Sequence, residues 1–224
     1  MKSTACSTDR PTLLITAGPS REYFDAVRYL SNASSGRMGV EVAAAALDLG
    51  WSVHLALGPI SLEPPPGAKL HPFISADELD RLTQELWPQV DAFVATAAVC
   101  DYRPVERIPG KRKKDSGPWA PVLQRTPDVL ANRAKQKEDR LLVGFALQAE
   151  PDLQEAGRKL LEKHLDLIIL NSTANLGSTE GDFEWIEAGG STRSFRQVHK
   201  SVLARSIVEF LRESLAERRT GRSG

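Results

Sequence analysis

Several groups of residues have types and spacings that could bind or move charge. The first follows a short apolar run. Thr16-Ala17-Gly18-Pro19-Ser20-Arg21-Glu22 gives way to Val27-Arg28-Tyr29-Leu30-Ser31-Asn32-Ala33-Ser34-Ser35-Gly36-Arg37-Met38-Gly39, which leads into an alanine-rich stretch. Hydroxyls, small residues and an arginine ahead of a helix leave backbone N–H groups and the positive end of the helix dipole open to an anion, phosphate being the obvious one. Ser34 and Ser35 would equally cap any helix. The set Ser34, Ser35, Gly36 and Gly39 therefore reads both as a phosphate site and as a plain helix start. Only Gly36 and Gly39 keep a usable spacing, and neither a G-x-G-x-x-G fingerprint nor the Gly-Lys-Ser/Thr of a P-loop is present.

The run Thr96-Ala97-Ala98-Val99-Cys100-Asp101-Tyr102 puts a carboxylate at the carboxyl end of a buried strand, the edge where ligands of open α/β sheets bind. A lone aspartate there also serves as a turn former or cap. Lys111-Arg112-Lys113-Lys114 is a solvated charge run, or, given Pro104, Pro109 and Gly110 around it, a tethered flap beside Asp101 that closes lysines over a polyphosphate. Lys159 and Lys163 stand at i and i+4 and project from one helix face. A bound anion would relieve their repulsion, and so would solvent with Glu155 and Glu162 as neighbours. His54, His71, His164 and His199 show no ligand spacing, which argues against a histidine metal cage. Cys100 lies in an apolar run with no histidine nearby in sequence and reads as a buried structural thiol.

These groups need elements to position them. Apolar, β-branched runs recur at 12–16, 52–57, 92–96, 141–145 and 165–170, apolar throughout as in a parallel sheet covered on both faces. Helices are expected at 36–49, stopped by Gly50, and at 75–90, capped by Ser75 with Asp77 and Glu78 at the positive end of the dipole. Two more are expected at 127–137 and 151–163, each with a proline near its first turn, and a last amphipathic one at 199–218. Between them lie a stiff proline loop at 58–67, the basic flap at 103–120 and a glycine-rich stretch at 171–193 around a short strand at 183–186, which 194–198 can join. The pattern predicts an α/β fold: a Rossmann-like, doubly wound, mostly parallel sheet in three layers, forming a single domain with a basic flap and a glycine-rich loop. Residues 1–10 read as a polar leader, 11–218 as the domain and 219–224 as a disordered tail.

Composition removes other classes. With 224 residues, 41% of them hydrophobic, the chain can bury a real core. Lys+Arg 29 against Asp+Glu 29 leaves no global basic field, so neither nucleic acid nor a membrane surface is an expected partner. The longest apolar stretches fall well short of the about 20 residues that cross a bilayer, and no apolar region follows the N-terminus as in a secretory signal. Two cysteines, Cys6 and Cys100, make neither a disulfide framework nor a zinc set, which fits a reducing cytoplasm.

Together the segments resemble the phosphopantothenoylcysteine synthetase family, the ligase of coenzyme A biosynthesis that is often fused behind a flavin-dependent decarboxylase. The blocks are 15–22, 27–32, 34–39, 97–102, the lysine flap, Thr126-Pro127-Asp128-Val129-Leu130 and Val143-Gly144-Phe145-Ala146, and the likeness runs over 13–212. It implies a free-standing, bacterial-type, CTP-dependent phosphopantothenate–cysteine ligase with no flavin of its own. In that family CTP and Mg²⁺ convert 4′-phosphopantothenate to an acyl-cytidylate and pyrophosphate, and L-cysteine then displaces CMP. By the resemblance, Asn32, Lys111 and Arg28 are catalytic: Asn32 as an amide facing the substrate carbonyl and the intermediate, Lys111 as the flap lysine, Arg28 as support. Ala97, Asp101, Lys111, Pro127, Asp128, Val129, Leu130, Phe145, Lys159 and Lys163 surround the nucleotide, and Ser34, Ser35, Gly36 and Gly39 hold the substrate phosphate. No metal ligands are assigned. The resemblance further implies a homodimer, with a separate decarboxylase as a candidate partner.

The chain departs from the family pattern at Gln148, where glutamate is usual, and in Leu176-Gly177-Ser178-Thr179-Glu180-Gly181, which lacks the usual phenylalanine and asparagine. Ala33 and Ser20 are milder changes. The departures keep a non-catalytic nucleotide-binding paralogue as a second reading. An NAD(P)-binding oxidoreductase is a third, disfavoured because Ala17-Gly18-Pro19-Ser20 is no tight glycine fingerprint and no acidic residue closes the second strand before Gly58.

Overall fold

The computed structural model describes residues 10–150 and 152–220. The expected leader up to residue 9, Cys6, Pro151 and the tail at 221–224 lie outside the described residues.

The apolar runs form the sheet as expected. In chain order come β1 (Thr12–Ala17), two short strands β2 (Arg21–Tyr23) and β3 (Tyr29–Ser31), helix α1 (Arg37–Asp48), β4 (Ser52–Leu57) and β5 (Lys69–Pro72). Helix α2 (Ala76–Leu86) leads to β6 (Ala92–Ala95), the arm strands β7 (Tyr102–Pro104) and β8 (Leu123–Arg125), and α3 (Val129–Ala134). Then come β9 (Leu141–Gln148), α4 (Leu153–Glu162), β10 (Leu167–Ser172), β11 (Glu180–Glu187), β12 (Thr192–His199) and α5 (Lys200–Thr220). Eight strands make one sheet in the order β12-β11-β10-β9-β6-β1-β4-β5. Pairs from β5 across to β10 are parallel, and β10-β11 and β11-β12 are antiparallel.

Alternation along each central strand feeds two cores. Leu13 and Ile15 pack with Val42, Ala46, Leu203 and Ile207 under α1 and α5, while Leu14, Phe93, Leu142 and Ile168 point to the opposite face, where Ala156 and Leu160 of α4 cover them. Both faces are apolar because both are covered, which gives the three layers. No helix among the described residues is long and apolar enough to cross a membrane.

Several boundaries differ from the sequence expectation. The helix expected to reach residue 90 ends at Leu86, and a 3-10 turn carrying Pro88 follows. Pro127 precedes the cap: Asp128 accepts from Ala131 N–H and starts a helix of 6 residues, so the expected 127–137 helix is shorter at both ends. Asp152 likewise caps α4. The last helix runs through Arg219 and Thr220, which were expected in a disordered tail. β11 extends well beyond 183–186. Three pieces were not expected at all. β5 is a polar edge strand, and β2-β3 and β7-β8 are antiparallel pairs too short to leave a period in the sequence.

β1 crosses through α1 to β4 on one side, whereas the chain leaves β6 for β9 on the other. That reversal opens a crevice at the carboxyl ends of β1 and β6. Beyond the strands the two exits stay joined: Thr96 N–H donates to Thr16 O at 3.1 Å, Ala98 N–H to Gly18 O at 2.9 Å, and the Thr96 hydroxyl to Thr16 O at 2.6 Å. Helix α1 lies directly on this joint. A Cβ at Gly39 would stand 2.4 Å from Ala17 Cβ and 2.6 Å from Thr96 Oγ1. Gly39→Ala is therefore expected to force α1 outward and to cost about 1–3 kcal/mol, read as a lower midpoint in urea unfolding. An unchanged midpoint would show that the helix lifts without cost.

Candidate functional site

Two adjoining cavities fill the crevice, of about 600 Å³ and 520 Å³. They share a wall made by Ala97, Asp101, Leu130, Phe145 and Lys163. The larger also takes Asn32, Ser34, Ser35, Gly36 and Lys159 from the expected site, and the smaller takes Pro127, Asp128 and Val129. Most of the residues singled out in the sequence thus meet in one place, although they come from strand exits, helix starts and one helix face far apart in the chain.

Gly39 is absent from the lining of both cavities: it lies on the buried face of α1, packed against Ala17 and Thr96. Arg28 and Lys111 line neither cavity of the chain. Both belong to a protruding unit in which the arm built on β7 and β8 docks on the tip of the β2-β3 hairpin, through Ala26 N–H to Gly110 O at 2.9 Å and Ile108 N–H to Phe24 O at 2.8 Å. The expected flap exists, with Lys111, Lys113 and Lys114 exposed on it, but it is fastened at its tip.

At the start of α1, Gly36 adopts a left-handed conformation with φ 72° and no side chain caps the helix. The hydroxyls of Ser34 and Ser35 accept instead from the N–H groups two residues ahead, at 3.3 and 3.4 Å. Ser35 thereby satisfies the N–H of Arg37, the first residue of α1, and both readings of the serines stay open. The backbone donors of the first turn face the cavity beside Arg37 and Met38.

Asn32 is placed by its amide. Nδ2 donates to Ala98 O at 3.3 Å and Val99 O at 3.0 Å, and two carbonyl acceptors fix which end of the amide faces them. Asn32 also lines the larger cavity. A role as donor to developing negative charge requires those two bonds to be released.

The lysines carry local partners. Lys163 Nζ lies 2.7 Å from Asp128, and Lys159 Nζ 3.4 Å from Glu155. Glu162, expected as a neighbour of the pair, bonds Arg158 instead. Such exposed pairs are worth about 0–1 kcal/mol each, so a polyanion can displace the carboxylates at small cost. Asp101 makes no hydrogen bond or ion pair with its carboxylate among the described residues, while its backbone carbonyl accepts from Thr126 N–H at 3.0 Å and ties the strand exit to the loop before α3. Cys100 is 3% exposed and burial pushes its thiol up, as expected of a structural cysteine. His54 and His71 do meet, 3.0 Å apart with rings stacked, across β4 and β5. Among the described residues, however, no group of three His, Cys, Asp or Glu could hold a metal.

Sequence reasoning missed part of the wall: Arg37, Thr96, Asn171, Asn175 and above all Lys200. Lys200 is 5% exposed, and burial, with Arg37 nearby, pulls its ammonium down from the usual lysine value. Its Nζ donates to Asn175 O at 3.2 Å and Ser178 O at 2.7 Å, and its N–H to Thr179 O at 2.9 Å, clamping the glycine-rich loop onto the cavity. A lysine in the first turn of a helix opposes the dipole, and that mismatch is the signal that could have marked it. Lys200→Met is expected to cost about 1–3 kcal/mol and to speed amide exchange at 175–179. Equal stability with equal exchange would show the clamp to be without effect.

Comparison with known proteins agrees with this geometry. The family described as DNA/pantothenate metabolism flavoprotein C-terminal domain matches residues 9–215. The chain is 38% identical over 170 residues to the coenzyme A biosynthesis bifunctional protein CoaBC of Bacillus subtilis (strain 168), covering 75% of this chain and 42% of that protein. With CoaBC of Escherichia coli (strain K12) it is 39% identical over 166 residues, covering 72% and 41%. The chain therefore spans less than half the length of these relatives. The crystal structure of the C-terminal domain of CoaBC superposes with a TM-score of 0.81 at 31% identity, covering 92% of this chain and 96% of that one. The DNA/pantothenate metabolism flavoprotein from Streptococcus pneumoniae, at 20% identity and a TM-score of 0.77, covering 93% and 99%, shares the fold. Fold, motif blocks and family match coincide over nearly the whole described chain, which belongs to the DNA/pantothenate metabolism flavoprotein C-terminal domain family, as the resemblance to the phosphopantothenoylcysteine synthetases implies.

Proposed function

We propose that this protein is a phosphopantothenate–cysteine ligase that uses CTP. The observation that carries the proposal is the double cavity at the sheet reversal, with the helix α1 donors at one end and Asp101, Phe145, Lys159 and Lys163 at the other. A carboxylate reacts with an amine only after one of its oxygens becomes part of a leaving group. In the first step a carboxylate oxygen of 4′-phosphopantothenate bonds the α-phosphorus of CTP, and the bond to the bridging oxygen breaks to release pyrophosphate. In the second the amine of L-cysteine attacks the acyl carbon, the amide forms, CMP departs and the amine loses a proton. Lys159 and Lys163 take the triphosphate, exchanging Glu155 and Asp128 for phosphate oxygens. Phe145 packs the base or ribose, and CTP in place of ATP follows the resemblance alone. The first turn of α1, with Ser34, Ser35 and Gly36, takes the substrate phosphate.

Mg²⁺ fits this donor set, because it keeps several waters and binds through one or two carboxylates together with phosphate oxygens. Asp101, free of other partners, is the residue that would hold it, and the ion would supply charge neutralisation on the triphosphate. Arg28 and Lys111 line neither cavity, and the exposed apolar side chains Val27, Tyr29, Val105 and Val122 accompany them on the same arms. This supports a homodimer in which each copy presents them to the other's site. The product carries a cysteine carboxylate, the group that a separate decarboxylase would remove.

A second reading, a non-catalytic nucleotide-binding paralogue, has one observation in its favour. Gln148 stands where the family has glutamate, and its Oε1 accepts from Asp152 N–H at 2.7 Å as a structural brace ahead of α4. Pyrophosphate release from CTP with Mg²⁺ and 4′-phosphopantothenate, with and without L-cysteine and with ATP in parallel, separates the two. Cysteine-dependent turnover with CTP is expected, and no release with either nucleotide would establish the paralogue. In the same assay Lys111→Gln is expected to lower the rate by about 10²-fold or more with the fold intact, and a wild-type rate would remove Lys111 from the reaction. Asn32→Asp replaces the donor that Ala98 O and Val99 O require with a carboxylate that repels them. It too is expected to lose about 10²-fold, and unchanged turnover would take Asn32 out of the site.

A further inference from the structure

We infer that Asp25 is the positioning residue that holds the lysine flap and Arg28 together as one unit. Its side chain is completely buried. Oδ1 accepts from the N–H groups of Val27 and Arg28, each at 2.7 Å. Those two bonds make a local turn of the kind any Asp or Asn can form. Oδ2 does something the turn does not need. It accepts from Arg28 Nη1 at 2.6 Å and, across 87 positions of sequence, from the N–H of Arg112 at 3.2 Å. Arg28 Nη1 also reaches Arg112 O at 3.4 Å, so carboxylate, guanidinium and flap backbone close a ring. The Arg112 guanidinium takes no part, turning to Asp115 and the Trp119 ring.

Lys111 immediately precedes the tethered amide, so the bond that anchors Arg112 N–H sets the backbone from which Lys111 projects. The donors around Asp25, chiefly the Arg28 and Val27 amides, hold its carboxyl well below the usual range, at about 2. The carboxyl is thus ionised, and the charge-assisted bonds present, at any working pH. The tether stands on this geometry, and its meaning for catalysis rests on the ligase reading.

Asp25→Asn separates the two functions of the side chain. Asparagine keeps one oxygen for the turn but puts an amide nitrogen where Oδ2 faces two donors. In the whole chain, hydrogen exchange of wild type is expected to show the Ile108 and Arg112 amides protected. In Asp25→Asn the Arg112 amide should exchange about tenfold faster or more, while the amides of Val27, Arg28, β1 and β6 keep their wild-type rates. A wild-type Arg112 amide that exchanges at the free-chain rate, or equal protection in the variant, would overturn the tether. With CTP and 4′-phosphopantothenate, kcat for pyrophosphate release should fall about tenfold or more in the variant while KM for CTP stays within about threefold, because the cavity's own contacts remain. A loosened flap with unchanged kcat would overturn the positioning role. Absence of pyrophosphate release from wild type would sink the ligase reading and leave the exchange result to decide the tether by itself.

Discussion

The contact on which the rest of the site depends is the one between helix α1 and the paired exits of β1 and β6. No side chain fits between Gly39 and the Ala17 and Thr96 atoms below it, so the helix lies against the sheet at the closest distance a backbone allows. Its first turn is thereby brought to the mouth of the crevice, where Arg37 and Met38 become part of the wall. The bonds between Thr96 and Thr16 and between Ala98 and Gly18 keep the two exits together past the ends of the regular ladder, and Asn32 clips the incoming chain to the same loop. A helix held farther out would separate the donors of the first turn from Asp101 and Phe145 on the other side.

A formal charge of zero conceals a local imbalance. Lys159, Lys163, Lys200 and Arg37 converge on the larger cavity, and each is balanced in a way that leaves it available. Glu155 and Asp128 hold the two helix lysines in exposed pairs, Glu41 lies a long 3.8 Å from Arg37, and Lys200 rests on carbonyls, with no carboxylate in ion-pair range among the described residues. Ion pairs of this kind contribute little on their own, which makes them easy to exchange for phosphate oxygens. A net charge of zero thus coexists with four basic side chains on one cavity wall.

The two arms outside the sheet follow a different rule. β2-β3 and β7-β8 are pairs of 3-residue strands, too short to be stable alone. They order each other through backbone bonds and the buried Asp25 carboxylate, so Arg28 and Lys111, distant in sequence, become a single presented surface. Neither Arg28 nor Lys111 lines the two cavities at the sheet reversal.

Much of this was legible from residue order. Apolar runs buried on both faces, a glycine stop, and cap residues such as Ser75 dictate strands and helices locally, so the doubly wound sheet and its ligand edge follow from the chain itself. Ser34 to Gly36, Asp101 and the i, i+4 lysines were also recognisable, since each sits at a helix start, beyond a strand end or on one helix face, whereas Phe145, inside β9, came only with the family resemblance. What the tertiary structure alone decided is contact between distant positions. It packed Gly39 against Ala17 and Thr96 and tied the Asn32 amide to the carbonyls of Ala98 and Val99. It also brought Lys200 from the last helix into the wall, and it fastened the flap to Asp25. The physical reason is one of range: periodicity and capping act within a turn or two of chain, whereas close packing and the pairing of buried polar groups depend on which segments the fold sets side by side.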